Sequence, residues 1–253
     1  MAAQAVSPCE HRGPGGPRCL HAAGPAATAT TGVAGGRNNA RVAISAADEV
    51  RTIAIRLAAL AQDGLTFASG DYDRDRYQQT ARLAARLLAV LSGRPASELT
   101  LELGRDSGYA TPKIDVRGAV FDAQDRVLLM REKLDGRWSL PGGWADPGDA
   151  PSAAVTREIV EETGYEAAAV KLIACWDRDL QHNPPPLPVH VYKLFFLCRD
   201  ARAVRPPDAL ETLDVGWFDV HEPPELSLGR VNHRQLQRAL AHHRDPSLPT
   251  EFD

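Results

Sequence analysis

Three glutamates, Glu158, Glu161 and Glu162, lie within five residues of one another, and Arg157 directly precedes them. On a helix, positions i, i+3 and i+4 project from one side. Like charges crowded in this way repel, and each exposed pair weakens a helix by about 0.2–0.5 kcal/mol. A hard divalent cation turns the same crowding into a binding site, because Mg²⁺ and Mn²⁺ take carboxylate oxygens. Spacing alone does not separate such a site from a solvated acidic helix end. The flanking residues do more. Pro151 suits a first helical turn, where its fixed φ is helical and no N–H is needed. Gly164 suits the left-handed position that ends a helix. Asp149, just ahead of Pro151, can cap the helix, a role Asp fills well.

Gly143 is followed after five residues by the acid Asp149, and after seven more by Arg157 and Glu158. Then come the apolar Ile159, the pair Glu161 and Glu162, Gly164, and the apolar Tyr165. This long pattern resembles the signature of the Nudix hydrolases, with Asp149 standing where that family usually has Glu. The resemblance implies Mg²⁺ or Mn²⁺ as cofactor. Glu158 and Glu162 are the firmest metal ligands, Glu161 is close behind, and Gly143 offers a backbone carbonyl. It further implies a metal-dependent pyrophosphohydrolase that cleaves a nucleoside diphosphate linked to another moiety, by attack of water on phosphorus. Phosphoryl chemistry of this kind needs charge neutralisation and in-line placement, and little else from the protein. Arg157 reads as orienting the carboxylates through charge-assisted hydrogen bonds. The base that activates water is either Glu162 or Glu211, which lies outside the motif where the family often places an extra acid.

Substrate selection falls to residues around this motif. Trp144, beside the glycine turn, can stack on a base or belong to the core. Arg131, Asp177, Arg178, His182, His190 and Tyr192 flank the expected cleft on strand ends and a Pro-rich loop. Further stretches, namely Leu65–Phe67, Tyr72–Tyr77, Gly108–Asp115, Trp138–Trp144, His190–Phe196 and Leu226–Arg230, resemble one Nudix subgroup with an N-terminal helical domain. That subgroup implies a homodimer and substrates of the CDP-choline, ADP-ribose or nucleotide-sugar kind. Two other readings are a Nudix-like regulator that binds ADP-ribose without hydrolysing it, and an RNA end-processing hydrolase. The intact Arg157, Glu158, Glu161 and Glu162 and the lack of an obvious DNA-binding domain favour an enzyme over the regulator. The acidic balance disfavours a nucleic-acid substrate.

The elements that must position these residues follow from pattern. With 253 residues, 43% hydrophobic and 25% charged, the chain has the composition of an ordinary globular protein. Its net charge of −4 and pI near 6.1 give no bulk reason for nucleic-acid binding. No apolar run approaches the ~20 residues of a membrane span, no signal peptide opens the chain, and a cytoplasmic location is expected. Cys175 and Cys198 sit in apolar strand-like runs and read as buried thiols.

Residues 1–45, rich in Ala, Gly, Pro and Thr, read as a disordered tail, and the pairs Cys9/His11 and Cys19/His21 do not match a standard zinc finger. Residues 46–110 read as a helical domain. Val50, Ile53, Ala54, Leu57, Leu60 and Ala61 form one stripe, stopped at Gly64, and Tyr77, Ala81, Ala84, Leu87, Leu88 and Leu91 form another. Such a hairpin must pack on the following domain or on a second subunit. Residues 111–245 read as the catalytic domain. Its strands fall near 114–121, 126–131, 167–176, 189–198 and 212–220, with a closing helix over 226–242 and a tail over 246–253. The order implies an α/β fold, and with the resemblance an α/β/α sandwich around a mixed sheet.

Overall fold

The computed structural model describes residues 45–253. Apart from Ser45, the expected tail and its Cys/His pairs lie outside the described residues.

Three helices come first: α1 (Ala46–Phe67), α2 (Asp71–Ser92) and α3 (Ala96–Leu103). Ser45 caps α1 by accepting from the Asp48 amide, one of the four N–H groups a helix start leaves unpaired. Gly64 does not stop α1, which runs on to Phe67. A Cβ at Gly64 would lie 2.3 Å from the Tyr77 ring, so this glycine serves the close approach of α1 and α2. The stop that does act is Gly93, left-handed at φ 69°, at the end of α2. The expected apolar stripes are only partly spent inside the hairpin. Its interior is built on Ala54, Ala61, Ala84, Ala85 and Leu88, while Val50, Ile53, Leu60, Leu83, Leu87, Val90 and Leu91 remain exposed.

A mixed four-stranded sheet follows, its strands in spatial order β1 (Lys113–Val120), β5 (Val191–Ala203), β4 (Tyr165–Asp177) and β7 (Glu251–Phe252). β1 and β5 are parallel, β5 and β4 antiparallel. A second, antiparallel sheet joins β3 (Trp138–Ser139), β2 (Val127–Glu132) and β6 (Thr212–Phe218). Two helices, α4 (Pro151–Thr163) and α5 (His233–Arg244), complete the layers. One core places Val155 and Ile159 of α4 against Val116, Val120, Leu128 and Phe196; the other places Leu236, Ala239 and Leu240 of α5 against Ile173, Trp176, Phe195 and Leu197. Helices therefore cover opposite faces of the strands, as the α/β/α reading expects. Cys198 is buried, and burial pushes its thiol up to about 12; Cys175 is only half-buried.

Two expectations at the end of the chain are corrected. The closing helix starts at His233, not near Leu226. Leu226 bridges to Trp138, the Ser227 amide donates to the Trp138 carbonyl at 2.8 Å, and only then does Asn232 open α5 through a capping box with Gln235. Leu226–Val231 is thus a strap that bridges to β3 at Leu226 and then turns, the Arg230 and Val231 amides donating to Ser227 O at 2.8 and 3.0 Å. The last residues are not a tail. β7 adds to the edge of β4, and Glu251 pairs with Arg238 and His242 of α5. Among the described residues no helix is long and apolar enough to cross a membrane.

Candidate active site

The segment from Pro141 to Ala145 runs along the free edge of β1. The Gly118 amide donates to Pro141 O (2.9 Å), Val116 N to Gly143 O (2.8 Å) and Ala145 N to Ile114 O (3.0 Å). α4 approaches β1 over Gly118, where a Cβ would meet Ile159 Cδ1 at 2.6 Å. Together these place the glycine turn against the carboxylate side of α4. The Gly142 amide donates to Glu162 Oε2 at 2.7 Å, and the Glu158 carboxyl lies against Gly143.

Glu158 and Glu162, one turn apart, line a cleft of about 550 Å³. Glu162 is 5% exposed, and burial pushes its carboxyl up to about 8, offset in part by Arg117 and the Gly142 N–H. Burial also raises Glu158, against the pull of Arg157. Glu161 does not share the cleft. It lies about 100° around the helix from Glu162, lining a neighbouring surface groove with Arg157. Arg157 gathers the acids of the loop and helix: Nη1 lies 2.9 Å from Glu158 and 3.0 Å from Glu161, and Nη2 lies 3.3 Å from Asp146 and 3.5 Å from Asp149. The N-cap of α4 is Ala150, which makes no side-chain cap bond, so Asp149 is a loop-tying residue and not the cap. Gly143 O already accepts from Val116 N, leaving one lone pair for any ligand.

Facing the carboxylates is a set of buried charges that sequence reasoning missed. Asp115 and Arg117 alternate on β1, with Arg117 Nε 2.8 Å from Asp115 Oδ1, and Lys193, beside Asp115 in the β1–β5 register, pairs with its other oxygen. Burial opposes ionisation of Asp115, but Arg117 and Lys193 together hold it below its ordinary value. Glu132 is paired at 2.7 Å with Arg230 of the strap, although burial still raises it. Asp115, Arg117, Glu132 and Arg230 line the cleft with Glu158 and Glu162, beside Arg178 and Glu211, which the sequence did single out. The signal was present as charges inside apolar strands, where a period of two sends Asp115 and Arg117 to the same face.

The expected substrate residues divide. Arg131 is turned away: it is the exposed residue of β2, with Nε on Gly136 O at 2.8 Å, and the alternation of the strand sends Glu132 inward instead. Trp144 is 53% exposed, which excludes a core role, and it forms a wall shared with a second cavity of about 510 Å³ beside α1. His190 lines that second cavity. Asp177 and Tyr192 stand beside His190, with Asp177 Oδ2 2.9 Å from His190 Nε2 and the Tyr192 ring edge-on to the imidazole, and neither lines the carboxylate cleft. Glu211 does line it, at the exposed mouth.

Comparison with known proteins places this sandwich, with its glycine turn and acidic helix closing on one cleft, in a class of phosphoanhydride-cleaving enzymes. A family profile described as NUDIX domain matches residues 111–240, and one described as UDP-X-like, N-terminal oligomerisation domain matches residues 48–101. The putative ADP-ribose pyrophosphatase YjhB of Bacillus subtilis is 38% identical over 78% of this chain and 94% of its own length. Among solved structures, an ADP-ribose pyrophosphatase from Streptococcus suis is 37% identical with a TM-score of 0.50, over 56% of this chain and 100% of its own. A UDP-X diphosphatase is 26% identical with a TM-score of 0.51, over 82% of this chain and 99% of its own. The chain belongs to the Nudix family and is a pyrophosphohydrolase.

Proposed function

We propose that this enzyme is divalent-metal-dependent and splits a nucleoside diphosphate linked to a second moiety, of the ADP-ribose or CDP-choline kind. Its products are a nucleoside monophosphate and a phosphorylated partner. The observation that carries the reading is the pair of half-buried Glu158 and buried Glu162 sharing one cleft with the guanidinium side chains of Arg117, Arg178 and Arg230. Among the described residues no three His, Cys, Asp or Glu side chains form a ready cage for a metal ion. A two-carboxylate site suits Mg²⁺, which keeps several waters and fills its shell with substrate phosphates. Glu158 and Glu162, with the remaining lone pair of Gly143 O, would hold it. Bound there, the ion would neutralise the diphosphate and polarise its phosphorus–oxygen bonds.

The chain's own residues supply position and proton handling. Arg157 fixes the angle of Glu158 and ties the loop through Asp146 and Asp149. The Gly142 N–H fixes Glu162. Glu211, exposed at the mouth, would take the proton of an attacking water, and Trp144 would offer its exposed face for a base to stack on.

The test is a panel of ADP-ribose, CDP-choline, a UDP-sugar, NADH and short RNA, incubated with and without Mg²⁺ and resolved by chromatography. Release of a nucleoside monophosphate from at least one small diphosphate, only with metal, is expected; failure on every member ends the reading. Glu211→Gln should lower kcat roughly 10²–10⁴-fold with KM little changed. An intact kcat would pass the role of base to Glu162.

The exposed stripe of α1 and α2 supports a homodimer built through these helices, in keeping with the profile matched over 48–101. Leu60 and Val90 are 60% and 84% exposed, more than large apolar side chains on paired helices ordinarily are. Light scattering should give twice the monomer mass for the parent and the monomer mass for Leu60→Glu combined with Val90→Glu. A monomeric parent would refute the dimer.

A further inference from the structure

We propose that Arg178 binds the substrate diphosphate directly, and that Arg51 of α1 is the positioning residue that keeps it free to do so. The inference rests on the diphosphate substrate class proposed above. Arg178 is 4% exposed, and a guanidinium is rarely buried without full pairing. Its Nη2 donates to Pro185 O at 2.8 Å. Its Nη1 has no hydrogen-bond partner among the described residues, the carboxylate beside it, Asp179 Oδ1, standing 3.7 Å away. In the other two guanidinium groups of the cleft, Nε and Nη1 are already bonded. Arg117 serves Asp115 and Leu140 O, and Arg230 serves Glu132 and the Ser227 hydroxyl. Arg178, which lines the cleft that holds Glu158 and Glu162, therefore carries an unspent, buried, charged donor. Such a group calls for an anionic partner, and guanidinium matches phosphate oxygens in both charge and geometry.

Asp179 is the obvious competitor for that donor, and the fold occupies it. Arg51, 8% exposed, reaches from α1 and donates from Nη1 to Asp179 Oδ2 at 2.7 Å. The Asp179 amide is tied in turn to Asp177 Oδ1 at 2.9 Å. With its carboxylate drawn to Arg51, Asp179 stays beyond hydrogen-bond distance of Arg178. Loss of Arg51 frees Asp179 to swing onto Nη1 and compete with phosphate. The helical region thus governs affinity in the catalytic cleft through a single shared carboxylate.

Two measurements test this on the full chain: kcat and KM on the best substrate of the panel, and calorimetric binding of the non-hydrolysable diphosphate α,β-methylene-ADP with Mg²⁺. Arg178→Gln should raise KM and weaken analogue binding about 10–100-fold, the range of a lost charged hydrogen bond, and Arg178→Lys should recover part of it. Arg51→Gln should raise KM about 3–10-fold with kcat nearly constant, and adding Asp179→Asn should bring KM back toward the parent value. A merely structural tether would make that double variant worse. Parent-like analogue binding in both Arg178 variants overturns the proposal; should the Gln variant not fold, the Lys variant decides, parent-like affinity against the proposal and a several-fold loss for it. A KM defect in Arg51→Gln that Asp179→Asn does not relieve overturns the role of Arg51. If the parent turns over no panel member, analogue binding that Arg178→Gln weakens still supports the residue's role while the substrate reading falls; a parent that does not bind the analogue overturns both.

Discussion

Replacing Glu162 by glutamine should cut turnover by orders of magnitude and at the same time make the metal-free protein more stable. The carboxyl is 5% exposed and burial pushes it up to about 8 from an ordinary 4.5. A folded-state value above the unfolded one means that, between the two, the folded protein holds a proton that the unfolded chain has released. Stability then falls as pH rises through that window, its contribution complete below about 4.5 and lost by about 8. The shift corresponds to a loss on the order of 5 kcal/mol by the upper end, a net figure in which the attraction of Arg117 is already counted. Glutamine keeps an acceptor for the Gly142 N–H and removes the ionisation. In EDTA, the parent's Tm should drop between pH 5 and pH 8 while that of Glu162→Gln stays nearly flat, and the variant should be the more stable of the two at pH 8. Activity should fall roughly 10²–10⁴-fold. Added Mg²⁺ should raise the Tm of the parent more than that of the variant, because a ligand stabilises only the state that binds it. Equal pH slopes for the two proteins would remove Glu162 from the centre of the site. A stability gain bought by losing function is what a site holding strained charge for a ligand predicts.

How far the sequence reached can be judged from particular residues. The helix carrying Glu158 and Glu162 was legible to its ends, because Pro151 and Gly164 fix a start and a stop by backbone chemistry alone. Strands were legible where apolar runs meet turn residues, as in Val127–Glu132. Glycines read less well. Gly64 and Gly93 are alike in sequence, yet one passes a neighbouring ring inside a helix and the other ends a helix, and only packing separates them. The same limit hid the strap before α5. Leu226–Arg230 carries no residue that forbids a helix, and its path, a bridge followed by a turn, is anchored by Trp138, to which Ser227 bonds across many residues of chain. At the site, motif spacing located one wall and missed the other. Arg131 was the natural candidate on β2, but strand parity places Glu132 in the cleft, and a one-residue error in register reverses every assignment on a strand. Arg178 was visible only as one of several charges flanking a loop. Its unpaired Nη1 is a property of the assembled structure, since it depends on where Arg51 sends Asp179.

The glycine turn offers the sharpest dissection of how backbone geometry makes this site. Gly142→Ala should destabilise the protein by roughly 3–5 kcal/mol and cost most of the activity. Gly142 has φ +139°, and a Cβ there would lie 2.0 Å from Val116 O and 2.9 Å from Arg117 Cα. Neither atom can retreat cheaply. Val116 is bonded to Gly143 O on one side and registered against Leu194 of β5 on the other. The turn must move instead, and with it the N–H that holds Glu162. Gly148→Ala is the control for conformation alone. Its φ of +101° is equally unsuited to alanine, but nothing lies within 4 Å of the added methyl, so a loss of about 1–3 kcal/mol with activity largely kept is expected. Gly143→Ala separates a third effect. Its φ is not in the left-handed range and its Cβ would make ordinary contact with the Glu158 carboxyl at 3.5 Å, so the fold should tolerate it while the metal requirement shifts to higher concentration. Denaturant titrations alongside Mg²⁺ activation curves distinguish the three. Gly142→Ala no less stable than Gly148→Ala would show that the close approach to β1, and not the sign of φ, had been misjudged as the reason for glycine at this turn.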